Sequence, residues 1–299
     1  MSRETSEGAD KLYGLERVCR VLEFPRSTIY AQQAREKDTV VPLFPARRGP
    51  KPKMPDADLL AAIRADLAAS PFTGEGHRKV WARLRILHDI RVSRARVLRL
   101  MRENRLLSPH RQPQGIPTLH DGTIITDRPN EMWGTDGIRI EAVDEGWVWV
   151  FSAVDHFDAC CVGIHAVKTG NRFAALQPIA QGLKAMFGAT GADIGRGLSL
   201  RMDHGTQYTA DDFLNQVKFW GIAPSFAFVA EPQTNGVAER FNRTLKEQVF
   251  HGRIFKNLAE VRVAVTEFKE RYNRHWRLEK MGFMSPLEVR QAYALRKAA

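Results

Sequence analysis

The sequence predicts an α/β fold: a mixed five-stranded sheet flanked by helices and preceded by helical segments. Three patterns lead there. Apolar runs of strand length follow one another between Met132 and Val167, with short polar turns between them. From Arg172 to Val249 helical and strand patterns alternate, the order of an α/β sheet. Two proline-rich stretches cut the helix-forming part that comes before into separate pieces.

Residues 1–40 read as two short helices. L-E-R-V-C-R-V-L over Leu15–Leu22 is amphipathic, and Glu23-Phe24-Pro25 breaks it because proline cannot continue a helix interior. A second helix opens at Arg26-Ser27-Thr28, with Ser27 or Thr28 as its cap. A helix-turn-helix would put Arg26 and Thr28 into a DNA major groove, although any helical hairpin reads the same way. Residues 41–55 hold Pro42, Pro45, Pro50, Pro52 and Pro55 among basic residues, a semi-extended linker. Residues 56–107 predict three helices: Asp56 to Ala69, His77 to Leu87, and Ser93 to Leu107 with Ser93 as cap. Arginines and lysines crowd the last two, including Arg78, Lys79, Arg83, Arg94, Arg96 and Arg99, and phosphate contact is the favoured reading. Residues 108–130 form a second proline-bearing linker.

Strands follow. Met132–Val143, Trp147–Val154 and Ala159–Val167 make an antiparallel meander, with Asp155 and Asp158 as turn formers. Arg172–Phe187 is a helix, Leu198–Met202 a strand, Asp211–Trp220 a helix, Ala223–Phe228 a strand and Gly236–Val249 a helix. The core thus runs over 131–251, and 252–299 is a basic helical C-terminal region.

Composition narrows the function classes. The chain has 299 residues, 43% hydrophobic and 26% charged, ordinary for a globular protein with a real core. It shows no apolar run of membrane-spanning length and no apolar leader, so a cytoplasmic location and no membrane partner are expected. Cys19, Cys160 and Cys161 form no disulfide framework or zinc spacing and read as small buried hydrophobes. The net charge of +11 points to a polyanion such as nucleic acid. The charge is uneven. Residues 1–130 carry 24 Lys/Arg against 15 Asp/Glu, 131–251 carry 10 against 14, and 252–299 carry 11 against 5. Basic arms around an acidic centre suit a protein that holds DNA and works on it, and solvated basic helices remain the plain alternative.

Three acids in that centre stand out by position: Asp136 inside the first strand, Asp203 just past the fourth, and Glu239 on the helix after the fifth. A mixed sheet can bring a mid-strand residue beside the end of a parallel neighbour, and a helix packed on it can add a third carboxylate. On the helix, Val237, Phe241, Leu245 and Val249 form an apolar stripe, with Glu239, Arg243 and Lys246 opposite. Clustered carboxylates suit phosphodiester chemistry, where two Mg²⁺ ions activate an oxygen nucleophile and stabilise the leaving oxygen. Spacing alone is weak in a chain with 34 acids.

The surrounding motifs are more specific. W-G-T-D at Asp136, D-H-G-T-Q-Y from Asp203, and N-G-V-A-E-R-F-N-R-T-L-K through Glu239 to Lys246 resemble the catalytic core of retroviral-type integrases. More closely, they resemble the DDE transposases of bacterial insertion sequences of the IS-three family, the second-reading-frame product. The 35 residues between Asp203 and Glu239, and Lys246 seven beyond, match that pattern. G-H-R-K-V, R-V-L-R-L-M-R-E-N-R-L-L and M-G-F-M-S-P-L-E-V extend the likeness over roughly 56–290. The chain departs from it at Gly137, where an apolar residue is usual, and at His204 and Thr206, where small residues are commoner.

The resemblance implies an RNase H-like fold with Asp136, Asp203 and Glu239 as catalytic metal ligands for Mg²⁺ or Mn²⁺, two ions per site. It implies DNA cleavage that exposes a 3′-hydroxyl, then attack of that hydroxyl on a second phosphodiester. Lys246, with Arg243, would touch DNA near the scissile phosphate. By their own positions Gln207, Tyr208 and Asn235 flank the carboxylates, where they either position DNA or only hydrogen-bond within their loops. Double-stranded DNA, both element ends and target, is the expected partner, bound by a homo-oligomer, with a first-reading-frame protein as a possible helper and a bacterial, nucleoid-associated location. Two alternatives are a non-catalytic DNA-binding descendant and a structure-specific nuclease on the same fold.

Overall fold

A computed structural model describes residues 4–8, 10–37, 53–108, 124–227 and 235–298. Most of the proline-rich linker expected at 41–55, residues 109–123 of the second linker, and Phe228, Gln233 and Thr234 lie outside the described residues. The chain divides into two compact units, Met1–Lys53 and Met54–Ala299.

The first unit carries α1 (Leu15–Val21) and α2 (Arg26–Lys37). Helix α2 begins at Arg26, directly after Pro25, so Ser27 and Thr28 lie inside its first turn and neither is its cap. Arg26 pairs with Glu16 across the hairpin at 3.3 Å.

The second unit opens with α3 (Asp56–Ala69), α4 (His77–His88) and α5 (Arg94–Glu103). Leu59 and Ile63 of α3 meet Val80 and Leu84 of α4 and Val97, Leu100 and Met101 of α5 in a small core. Ser93 caps α5, its hydroxyl accepting from the Arg96 N–H at 3.3 Å. The helix stops at Glu103, short of the expected Leu107. Arg105 turns left-handed (φ 56°) and the Leu106 N–H returns to the Met101 carbonyl at 2.8 Å. Many of the basic side chains in these helices are engaged inside the unit. Arg83 is buried against Asp66 and Glu75, and Arg96 and Arg99 bond to Asp56. The phosphate contact expected of Arg83 is therefore corrected, since that side chain is buried between two acids; Arg96 and Arg99 are tied to Asp56 at the surface.

The sheet has the order β3-β2-β1-β4-β5, built from β1 (Met132–Ala142), β2 (Gly146–Asp155), β3 (Cys161–Val167), β4 (Ser199–Met202) and β5 (Ala223–Phe226). The first three strands are antiparallel, β4 is parallel to β1, and β5 is parallel to β4. Alternation on β2 sorts the two faces. Phe151 and Ala153 pack with Trp133, Leu200 and Met202 against α6 (Arg172–Phe187), α7 (Thr206–Thr209) and α8 (Asp211–Phe219). Val148, Val150 and Val154 pack with Ile138 against α9 (Gly236–Leu245) and α10 (Leu258–His275). Asp136 has the parity of Ile138 and so belongs to the α9 face.

Asn171 caps α6 and Asn257 caps α10, each accepting from the N–H three residues on. Helix α9 runs on as a π-helical turn, Lys246–Phe250, where a single regular helix is expected. A 3₁₀ turn, Glu279–Met281, and α11 (Pro286–Ala298) complete the chain. Among the described residues no helix is long and apolar enough to cross a membrane. The three cysteines are buried and unpaired.

Candidate active site at the β1–β4 junction

The parallel register of β1 and β4 sets the site. Their last pair is Gly134 with Arg201. Two residues further along both strands come Asp136 and Asp203, level with each other on the α9 face. Asp136 is half-buried on the strand; Asp203 sits exposed where β4 ends, its Oδ1 accepting from the Gly205 N–H at 2.9 Å. That bond closes a tight turn into α7 and faces the carboxylate outward.

Helix α9 is fastened over this junction by two asparagines. The Asn235 amide donates to the Thr135 carbonyl at 3.1 Å. The Asn242 amide donates to Asp136 Oδ2 at 2.9 Å, and its carbonyl accepts from the Ser152 hydroxyl at 3.0 Å. Ser152 is the cross-strand partner of Asp136, so one side chain ties two strands to the helix. Asn235, Glu239, Asn242 and Lys246 follow at helical spacing along one face, which sets Glu239 between the two fastenings and Lys246 beyond them.

The electrostatics fit this arrangement. Burial pushes the Asp136 carboxyl above its usual range, and the Asp203 carboxylate adds to the push; the Asn242 and Gly137 N–H groups and Lys246 oppose it. Burial and the Asp136 charge likewise raise Glu239. Three hard oxygen donors, short of positive charge, suit a divalent cation. Among the described residues no three His, Cys, Asp or Glu side chains converge closely enough to form a ready-made metal cage.

Gly137, the departure beside Asp136, has a steric reason. A Cβ there would come within 2.6 Å of the ring of Phe151, its cross-strand partner.

The other expected contacts divide. Lys246 and Arg243 are exposed, Arg243 lying 3.9 Å from Glu247. Gln207, partly exposed, lies in α7 just past Asp203. Tyr208 is fully buried behind the site, so its ring belongs to the core and cannot lie against DNA. Burial and the Asp136 carboxylate hold its phenol protonated. Asn235 is buried too and holds β1. Lys79 is turned inward against Trp276 and lies 3.5 Å from Glu75. Arg78 and Arg94 remain about half exposed. Arg26 and Thr28 are exposed on the first unit. Trp147, near the start of β2, is 56% exposed. Asn242 and Ser152 are absent from the expected site. The available signal is the position of Asn242, three residues after Glu239 and so on the same helix face.

An integrase core domain family matches residues 126–232 and a second integrase core family matches 220–286, while an HTH-like domain family matches 56–114. The transposase for insertion sequence element IS629 of Shigella sonnei is 27% identical over 228 residues, 73% of this chain and 74% of that protein. The transposase InsD for insertion element IS2D of Escherichia coli (strain K12) is 27% identical over 248 residues, 78% of each chain. The chain is thus similar to insertion-sequence transposases and carries an integrase-type core. Among solved structures, the catalytic core domain of BIV integrase aligns with this transposase at 20% identity and a TM-score of 0.39, over 57% of this chain and 99% of that one. The transposase acts in DNA transposition, and its integrase-type core implies dependence on a divalent metal.

Proposed function

We propose that Asp136, Asp203 and Glu239 together hold the divalent ions of this transposase, Mg²⁺ or Mn²⁺, two per site. The single observation behind this reading is the parallel β1–β4 register, which sets Asp136 level with Asp203 beneath the helix that carries Glu239. Bound there, the ions would activate the attacking oxygen and stabilise charge on the phosphate and the departing oxygen. The protein's own groups supply position. Asn242 and the Gly137 N–H fix the two oxygens of Asp136. Lys246, whose charge partly opposes the rise of the Asp136 carboxyl, holds a DNA phosphate beside the carboxylates, with Arg243 and Gln207 outside it. Arg78 and Arg94 of the helical unit, and Arg26 and Thr28 of the first unit, contact DNA away from the chemistry. The reaction exposes a 3′-hydroxyl at the element end and directs it at a second phosphodiester, with a homo-oligomer on the DNA and a first-reading-frame protein as helper.

The test uses purified protein, Mg²⁺ or Mn²⁺, and labelled DNA from the sequence flanking its own gene, with wild type beside Glu239→Gln. Metal-dependent nicked and joined products, lost in the mutant while DNA binding persists, are expected. Activity retained by Glu239→Gln would sink the site assignment. Nicking without joining would instead favour a nuclease.

A further inference from the structure

The contact between the helical unit and the C-terminal segment places one carboxylate among guanidinium groups. Glu279 opens the 3₁₀ turn that follows α10. Its Oε2 lies 2.7 Å from Arg78 Nη1, and its Oε1 lies 3.7 Å from Arg94 Nη1. Arg78 belongs to the first turn of α4 and Arg94 begins α5, so the C-terminal turn bridges the starts of two helices. Arg78, Arg94 and Arg102 all act on His77 beside them; with its burial, they hold that imidazole below its usual pKa, and Glu279 is the acid that opposes them. A cavity of about 350 Å³ opens here, lined in part by His77, Arg78, Leu98, Ser108, Arg277 and Glu279.

Two oxygens of one anion shared between forked guanidinium groups is also how arginines hold a phosphodiester. The three side chains in the contact are about half exposed, at 47–55%, so water weakens the pairing and a stronger anion can displace the carboxylate. A backbone phosphate brings its neighbours with it and releases counterions on binding, which one glutamate cannot match.

We propose that this surface is a DNA-phosphate seat and that Glu279 fills it in the absence of DNA, as an internal competitor. The proposal rests on the reading of Arg78 and Arg94 as DNA contacts. Glu279 then sets how tightly the helical unit grips DNA without entering the chemistry.

The test measures binding of a labelled element-end duplex at fixed salt by wild type, Glu279→Gln, Arg78→Ala/Arg94→Ala, and the triple variant. Glu270→Gln on α10, which removes one acid from another exposed pair, serves as the charge control. Glu279→Gln should bind about 1.5-fold to fivefold tighter, the range of one exposed ion pair. Glu270→Gln should bind as wild type. The arginine double variant should bind more weakly, and adding Glu279→Gln to it should change nothing further. Thermal unfolding checks that each variant is folded. Wild-type binding with no gain from Glu279→Gln, or the same gain in the arginine-free background or from Glu270→Gln, overturns the seat and leaves the DNA reading standing. Failure of wild type itself to bind overturns both.

Discussion

Replacing Asn242 with alanine tests how the carboxylate junction is held together. Asn242 is buried, at 3% exposure, and makes two bonds, one to Asp136 Oδ2 at 2.9 Å and one from the Ser152 hydroxyl at 3.0 Å. The first is charge-assisted and contributes about 1.5–3 kcal/mol when kept. The second matters because Ser152 is wholly buried and would keep an unsatisfied hydroxyl, a cost of about 1–3 kcal/mol. Asp136 keeps its Gly137 N–H and some access to water, so the lower halves of both ranges apply, giving a loss of about 3 kcal/mol. Denaturant unfolding measures it, and a double-mutant cycle isolates the bond. Ser152→Ala added to Asn242→Ala should cost less than Ser152→Ala alone, since the orphaned hydroxyl is gone. The half-saturating divalent ion concentration for DNA cleavage should also rise about tenfold, because Asp136 loses its orientation. Strictly additive stabilities, or an unchanged ion requirement in a folded Asn242→Ala protein, would refute this account of the junction.

Two further outcomes follow from other parts of the second unit. Arg290 of α11 bonds to Asp155 at 2.7 Å and Asp158 at 2.6 Å, both fully buried, so Arg290→Met should cost about 3–5 kcal/mol by stranding their charge. Burial and the Asp158 charge push the Asp155 carboxyl up. A raised carboxylate stabilises the fold when protonated and loses that contribution as pH rises through its folded value. Thermal unfolding should therefore show a larger deficit for Arg290→Met at pH 8 than at pH 5; an equal deficit would count against the pairing. Gly163 on β3 meets the backbone of α6, where an added Cβ would lie 1.9 Å from the Pro178 carbonyl oxygen. Gly163→Ala should leave little folded protein in a soluble-fraction assay, and a stable, active alanine variant would show that strand and helix can separate.

The sheet was legible because its strands announce themselves. The W-V-W-V-F-S-A-V run reads as a buried strand, which holds from Val150 onward while Trp147 stays exposed, and its short flanking turns favour an antiparallel meander. The nearness of Asp136 to Asp203 followed from the same logic, since a strand interior and a parallel neighbour's end meet at fixed register. Side-chain partnerships across long sequence distances were not legible. Asp155 and Asp158 do cap their turn, accepting from the Phe157 and Cys160 N–H groups, and local sequence carries that much. Nothing local reveals that Arg290, over 130 residues away, closes on them. The arginine-rich helices misled for the same reason. Their density suggests one DNA-facing surface, yet Arg83, Arg96 and Arg99 find acids in their own unit. Tyr208 was read from its motif as a DNA contact, and only the packing of α7 against the sheet turns it inward.

The π-helical turn after α9 bears on how these parts can be exchanged. Within it Gln248 clasps the backbone of Thr73 in the α3–α4 loop, accepting from its N–H at 3.0 Å and donating to its carbonyl at 2.8 Å. Beside it, Phe72 meets Trp276 edge-on, with ring centroids 4.8 Å apart. Two residues before Gln248 stands Lys246. Removing one residue from the turn would restore ordinary helical phase and swing Gln248 by roughly 100° away from its partner. The helical unit and the core are therefore keyed to one another at the helix that carries Glu239. A chimera that joins the helical unit of one relative to the core of another, with its crossover in the linker, would part Phe72 and Thr73 from the surface cut to receive them, so heritable exchange should favour crossovers that keep lock and key on the same side.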